Sequence, residues 1–218
     1  MNFFGKFLAI ERRMNMKKLL ILIAALTFLA GCEEPSKPAE TEKPKPKATE
    51  LLTGRFAFYK MLIPAHNWAR DAQPFSLESQ VNSDSTGKDG KAAVWRAAFA
   101  SPSGHGVKPY SWSGTDAQDA PSRGVNPGSE DNYNPNNSST QIFDPAFLKV
   151  DSDKALETAQ KHGGEKILTA AADTPINYRL NWEHNTNKLI WHVVYGGNNP
   201  KLRVEVDASN GDFIRIEK

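Results

Sequence analysis

The 218-residue sequence contains a single cysteine and lacks a long apolar run. Because Cys32 is the only thiol, no disulfide can form within the chain. The main apolar run, residues 19–30, is shorter than the roughly 20 residues that a helix needs to span a bilayer. These features exclude a disulfide-stabilised scaffold and argue against a membrane-spanning helix.

The sequence also lacks the short motifs that mark common catalytic and cofactor sites. It has no H-E-x-x-H, C-x-x-C, G-x-S-x-G, Walker or G-x-G-x-x-G pattern. None of its histidines forms an i, i+4 pair; they are His66, His105, His162, His184 and His192. We therefore expect a protein that is not an enzyme, with no cofactor and no metal ligands.

The charge balance gives no reason to expect a nucleic-acid partner. The formal net charge of the whole chain is +2. Five of the 27 basic residues but only one of the 25 acidic residues lie within 1–31, so the remainder is slightly acidic. A nucleic-acid-binding surface would need clustered basic residues.

The amino-terminal residues have the order of a bacterial export signal. Lys17 and Lys18 precede the apolar run, and small residues follow it, which predicts a signal peptide at 1–31 rather than a buried helix. The segment Leu-Ala-Gly-Cys, ending at Cys32, resembles the lipobox of bacterial lipoproteins. The resemblance implies cleavage before Cys32, a diacylglyceryl group on its thiol and acylation (for example by palmitate) of its amine.

The lipid on Cys32 would make the membrane a partner of the protein. Two or three acyl chains give an effectively permanent anchor, since each buried CH₂ contributes about 0.8 kcal/mol. Glu33 is not the aspartate that often retains lipoproteins in an inner membrane. We therefore expect a cell-envelope protein facing outside the cytoplasm, at the outer membrane if the organism has one.

Residues 32–50 read as a tether between the anchor and a folded body. Proline, lysine and glutamate dominate this segment, which cannot bury enough apolar surface to offset its ordering entropy. Lys-Pro repeats favour an extended spacer of roughly 3 Å per residue. A proline-containing binding motif is the alternative.

Two stretches of the body repeat one order of elements. Each has an amphipathic helix followed by strands with alternating apolar residues. Ala93–Phe99 aligns with Leu189–Tyr195, with a central tryptophan and a terminal aromatic residue in both. The fold class predicted is α+β, with two tandem helix-plus-antiparallel-sheet modules at 51–114 and 150–218, arising by duplication. Chance similarity of short strand patterns is the alternative.

The second stretch resembles the PepSY family. The resemblance rests on the helix DSDKALETAQKHGG, the strands INYRLNW and LIWHVVYG, and LRVEVDASNGDFIRIE. It implies a small α+β module with a helix packed on an antiparallel sheet, and makes the first stretch a divergent copy. Family members occur in exported bacterial proteins and in the propeptides of thermolysin-type peptidases, where they are linked to inhibition. This chain carries no attached peptidase.

Residues 115–149 are predicted to form a polar connecting loop. Its acidic residues are candidate calcium ligands, although their spacing matches no calcium-binding loop; they are Asp116, Asp119, Glu130, Asp131 and Asp144. A solvated loop is the favoured interpretation. A metal-dependent protein or enzyme that uses this loop is the alternative function.

The candidate binding surface consists of Trp112, Tyr110 and His192. Trp112 and Tyr110 lie beside Pro109, which suggests an edge strand. His192 follows Trp191 on the outward face of its strand and is predicted to be a surface histidine. The function predicted is a lipid-anchored, non-enzymatic module that binds or modulates an exported protein or peptide. A structural envelope component is a further alternative.

Overall fold

The structure, a computed structural model, describes residues 47–197 and 199–217. The predicted signal peptide at 1–31, Cys32 and the tether up to residue 46 lie outside the described residues. The described residues belong to one compact unit.

A nine-stranded antiparallel sheet forms the body. Its strands run in the order β11-β10-β9-β8-β2-β4-β5-β6, and β7 also pairs with β5. The strands of this sheet are β2 (Gln73–Gln80), β4 (Val94–Ser101), β5 (Gly106–Ser113), β6 (Gly124–Pro127), β7 (Asp131–Asn132), β8 (Ile176–Glu183), β9 (Lys188–Tyr195), β10 (Leu202–Asp207) and β11 (Phe213–Glu217). Two further strands, β1 (Leu52–Thr53) and β3 (Lys91–Ala92), form a separate pair.

Three α-helices accompany the sheet: α1 (Gly54–Trp68), α2 (Ser152–Ala159) and α3 (Glu165–Ala170). An irregular turn at Gln160–Gly164 joins α2 to α3, with Gly163 at a φ of 111°. Short 3₁₀ turns occupy Ser138–Thr140 and Pro145–Phe147. Pro64 lies inside α1 without ending it. The chain leaves the helix at Ala69, where the backbone is extended.

The core lies between the sheet and the helices, because every second side chain of each strand faces the helices. Trp95, Trp191 and Tyr178 are fully buried there, as expected for large aromatic side chains that fill volume. Phe75 does not continue the alternation of buried residues in β2. A register shift between Pro74 and Ser76 moves Phe75 to a partly buried position.

The two predicted modules do not form separate sheets. β2 and β8 pair at the centre of the sheet, with Leu77 opposite Leu180, so residues on both sides share one core. From this central pair, β8, β9, β10 and β11 succeed one another in one direction, and β2, β4, β5 and β6 in the other. The α+β class is confirmed, as one main antiparallel sheet with few helices. The boundaries at 51–114 and 150–218 stay a prediction.

The amino-terminal ends of α1 and α2 meet at Asp151. Its carboxylate accepts hydrogen bonds from the backbone N–H of Ser152 at 2.7 Å and of Arg55 at 2.8 Å. The hydroxyl of Thr53 also donates to it, at 2.6 Å. Helix ends leave N–H groups without partners inside the helix. One aspartate thus caps two helices that are almost a hundred positions apart in sequence.

Residues 115–149 are more than a connection. β6 and β7 both pair with β5, and the side chains of Phe143 and Leu148 join the core. The last residues of the predicted tether are bonded to the body as well. The N–H of Glu50 donates to the carbonyl of Gly114 at 2.9 Å, and the Arg123 guanidinium donates to the carbonyl of Ala48 at 3.3 Å.

Candidate functional site

The sheet face opposite the helices carries a row of charged side chains. Successive residues of a strand project to opposite faces, so His192 projects away from the core that buries Trp191 and Val193. Strand register aligns one residue from each of five other strands with it. The row consists of Arg96, Glu78, Arg179, His192, Glu205 and Arg215. Opposite charges alternate on either side of the histidine, which favours these cross-strand pairings.

Two glutamates approach the imidazole of His192. Its Nδ1 atom lies 3.9 Å from Glu205 Oε1 and 3.9 Å from Glu217 Oε2. Arg215 Nη2 donates to Glu205 Oε1 at 2.9 Å, and Arg203 Nη1 lies 3.5 Å from Glu217 Oε1. Each carboxylate therefore has one oxygen near an arginine. We call His192, Glu205 and Glu217 the His192 cluster.

Burial controls the protonation state of His192. Desolvation of the imidazolium lowers the pKa of His192 below its ordinary value, although Glu205 and Glu217 oppose this effect. The side chain is therefore neutral at pH 7 and has a ring nitrogen free to act as an acceptor or ligand. The predicted surface histidine is in fact largely buried, with 18% of its side chain exposed.

The His192 cluster contains buried polar atoms without hydrogen-bond partners among the described residues. These atoms are His192 Nε2 and Glu205 Oε2. Glu205 is only 1% exposed, and most buried polar atoms in folded proteins are satisfied. Within the described part of the chain, this cluster is the one group of three histidine, cysteine or acidic residues close enough to share a metal ion.

A polar pocket adjoins the cluster on the open face. Its volume is about 230 Å³. Besides His192 and Glu217, it is lined by Arg179, Arg203, Asn177 and Asn181. This lining offers both donors and acceptors to a small polar ligand.

Trp112 and Tyr110 do not form a binding surface, so this part of the prediction is wrong. Each is 3% exposed. They pair across β4–β5 with Trp95 and Ala97, which places both on the core face, and the Tyr110 hydroxyl donates to the Pro64 carbonyl at 3.2 Å. Burial raises the pKa of Tyr110. The predicted edge at Pro109 is covered by β6 and β7.

The acidic residues of 115–149 do not converge on a cation site in the described structure. Asp116 pairs with Arg123 at 2.9 Å. Asp119 accepts from the backbone N–H of Ser83 at 2.9 Å, and Glu130 accepts from the Trp68 indole at 2.9 Å. Each carboxylate serves a separate local contact.

One edge of the sheet is formed by β11. Among the described residues, β11 pairs with β10 alone, so its outer edge has backbone groups available for pairing. Phe213 and Ile216 of this strand are 37% and 47% exposed. The opposite edge consists of the shorter β6, which contains Pro127, and of β7. Sequence patterns identified β11 but not its position in the sheet.

The helical side of the body also exposes apolar residues. Phe56, Tyr59 and Ile63 on the outer face of α1 are 68%, 41% and 67% exposed. They follow one another at helical spacing. They form an apolar stripe on the side of the body away from the His192 cluster.

None of the helices among the described residues has the length and apolar character required to cross a bilayer.

Comparison with known proteins shows a shared fold. No family model matches the sequence, and no curated protein matches it. The structure is similar to the crystal structure of a "putative lipoprotein" from Clostridium difficile 630, with a TM-score of 0.52 and 10% sequence identity. The match covers 74% of this chain and 91% of that one. At this identity the likeness demonstrates a common fold and nothing about activity.

Proposed function

We propose that the protein is a lipid-anchored component of the bacterial cell envelope that binds an extended segment of an exported polypeptide and is not an enzyme. The observation that carries the binding role is the open edge of β11. The leader and Cys32 support the anchor. The structurally similar Clostridium difficile protein, a "putative lipoprotein", supports the same assignment.

Strand addition is the binding mode that β11 favours. An extended peptide can pair with the free N–H and C=O groups of an edge strand, while side-chain contacts provide selectivity. The exposed Phe213 and Ile216 side chains supply apolar contacts for such a peptide. Natural proteins usually protect exposed edge strands, for example with proline. The proline of β6 is a protection of this kind at the opposite edge.

The tether joins the body far from this edge. Glu50 is bonded to Gly114 directly after β5, and six inter-strand steps separate β5 from β11 in the sheet order. At about 4.8 Å per step, the two strands are roughly 29 Å apart. An anchored body would therefore keep β11 accessible to a partner.

Site-specific photo-crosslinking tests the binding role. A photoreactive residue at Ile216 in the full-length protein, expressed in its own envelope, should yield an adduct with one discrete exported polypeptide. The matched control is Val125 of β6, which is 37% exposed on the opposite edge and should yield no such adduct. Absence of an adduct at Ile216, or equal adducts at both positions, would rule out strand addition at β11.

We also propose that the two halves of the sheet are copies of one PepSY-like unit. The Trp95 indole donates to the Leu52 carbonyl, and the Trp191 indole donates to the Val150 carbonyl, both at 2.9 Å. Each acceptor lies two residues before a helix that packs on the sheet. Matching contacts at matching positions are expected after duplication. Nothing within one half alone requires its contact to match that of the other half.

A further inference from the structure

We propose that the His192 cluster is a binding site for one divalent transition-metal ion of the zinc class. The site goes beyond the proposed function and does not depend on it. The ligands lie on the sheet face opposite the helices, whereas the peptide would pair with the edge of β11. Its three ligands are His192, Glu205 and Glu217, one from each of β9, β10 and β11.

The geometry suits a single ion. The three ligand atoms lie within 4.8 Å of one another, and both carboxylate oxygens nearest His192 Nδ1 are 3.9 Å away. Bonds of about 2.0–2.2 Å in a tetrahedral zinc site place ligand atoms about 3.4 Å apart. The ligand atoms are thus about 0.5–1.4 Å further apart than around a bound zinc ion, and rotation of the two glutamate side chains would close this difference.

The unpartnered carboxylate oxygen points independently to a ligand. Glu205 is 1% exposed, yet its Oε2 atom has no hydrogen-bond partner among the described residues. A buried carboxylate oxygen without a partner costs free energy. A cation held by the cluster would compensate the glutamate charge and use a nitrogen of the histidine.

The ligand types select the class of metal. Neutral imidazole together with carboxylates suits zinc and neighbouring transition metals, whereas calcium and magnesium prefer oxygen ligands throughout. Arg215 donates to Glu205 Oε1, which leaves Glu205 Oε2 for the ion, and Arg203 approaches Glu217 Oε1, which leaves Glu217 Oε2. Both arginines can orient the carboxylates from outside, as outer-shell groups do. With three protein ligands, a tetrahedral ion would keep one position for a further ligand.

Metal titration of the full chain tests this site. The chain should carry Cys32→Ser, since this removes its only thiol, which would otherwise compete for zinc. Calorimetric titration with zinc chloride should show one ion per chain. His192→Ala and Glu217→Gln should each weaken binding by at least about tenfold, and His184→Ala, which removes an exposed histidine from the β8–β9 turn, should bind as the parent does.

Cobalt substitution provides a second readout. Bound Co²⁺ should give the intense visible absorption of a four-coordinate ion in the parent and in His184→Ala, and this absorption should be lost in His192→Ala. Glu217 is partly exposed, so Glu217→Gln should leave the thermal unfolding midpoint without metal unchanged. Failure of the parent to bind zinc, or equal binding by the His192 and His184 variants, would overturn the proposal.

Discussion

The indole rings of Trp95 and Trp191 contact each other edge to face in the core, with ring centroids 6.4 Å apart and an interplanar angle of 71°. Each indole also donates to a backbone carbonyl just before a helix. Gly54 lies against both rings, and a Cβ atom there would approach Trp191 Cη2 to 2.6 Å. The two tryptophans therefore join the start of each helix to the centre of the sheet.

Replacing either tryptophan should destabilise the protein. Trp95→Phe and Trp191→Phe each remove buried volume and leave a carbonyl without its indole donor, so each should lower the free energy of unfolding by about 1–3 kcal/mol. Denaturant unfolding measures the loss. Trp182→Phe, at a partly buried position, is the control and should cost less. Similar costs at all three positions would contradict the paired role.

Asp151 should contribute more to stability than an ordinary helix cap. Asp151→Ala removes the acceptor for the first turns of both α1 and α2, and each lost cap costs about 0.5–2 kcal/mol. Chemical denaturation should therefore show a loss near twice that of a single cap. Asp144→Ala is the control, since Asp144 caps only one 3₁₀ turn by accepting from Ala146 N–H at 2.8 Å. Equal losses would show that Asp151 does not cap both helices.

Asp71 should make stability depend on acid pH. Hydrogen bonds from the backbone N–H of Ser103 and the hydroxyl of Ser101 lower the pKa of Asp71 from 3.8 to about 2. Because the folded value is the lower one, its contribution is complete above pH 3.8 and is lost as the pH falls toward 2. Asp71→Asn should therefore be less stable than the parent at pH 7. The difference in the free energy of unfolding between the two proteins should become smaller in acid.

Unfolding curves at pH 7, 4 and 2.5 provide this measurement. Asp173→Asn serves as the control, because Asp173 is fully exposed in its pair with Lys88 and such pairs contribute little. If the difference in the free energy of unfolding between the parent and Asp71→Asn stays constant from pH 7 to 2.5, these hydrogen bonds do not have the role assigned to them.

Cys32→Ser should release the protein from the membrane. Without the thiol no diacylglyceryl group can be attached, and the anchor contributed by the acyl chains is lost. Fractionation of cells, with mass spectrometry of the amino-terminal peptide, should find lipid on the parent and none on the variant. A variant that remains in the membrane fraction as before would show that Cys32 is not the anchor.

Local sequence patterns were sufficient to predict the helices and the longer strands, but not β1, β3, β6 and β7. Apolar residues at every second position, such as Leu189, Trp191 and Val193, indicate a strand with one buried face. This period of two residues can be recognised in the sequence of a single strand, without knowledge of its neighbours. The hydrogen bond from Arg55 to Asp151 joins residues almost a hundred positions apart and has no local signal in the sequence.

The candidate site depended on register, which the sequence does not display. His192 meets Glu205 and Glu217 because β9, β10 and β11 are aligned in one particular way, and a shift of one residue would separate them. Trp112 was assigned to a surface since Pro109 suggested an edge. The polar segment that follows supplies β6 and β7, and their pairing with β5 is a long-range event.

The contacts of Ala48 and Glu50 determine where a pulling force would act. Tension on the amino-terminal end of the described chain reaches the Arg123 and Gly114 bonds first, on the β5 side of the sheet. The His192 cluster and β11 lie on the far side of the sheet from this point of entry, so a force that opens these few hydrogen bonds would act there without first reaching either site.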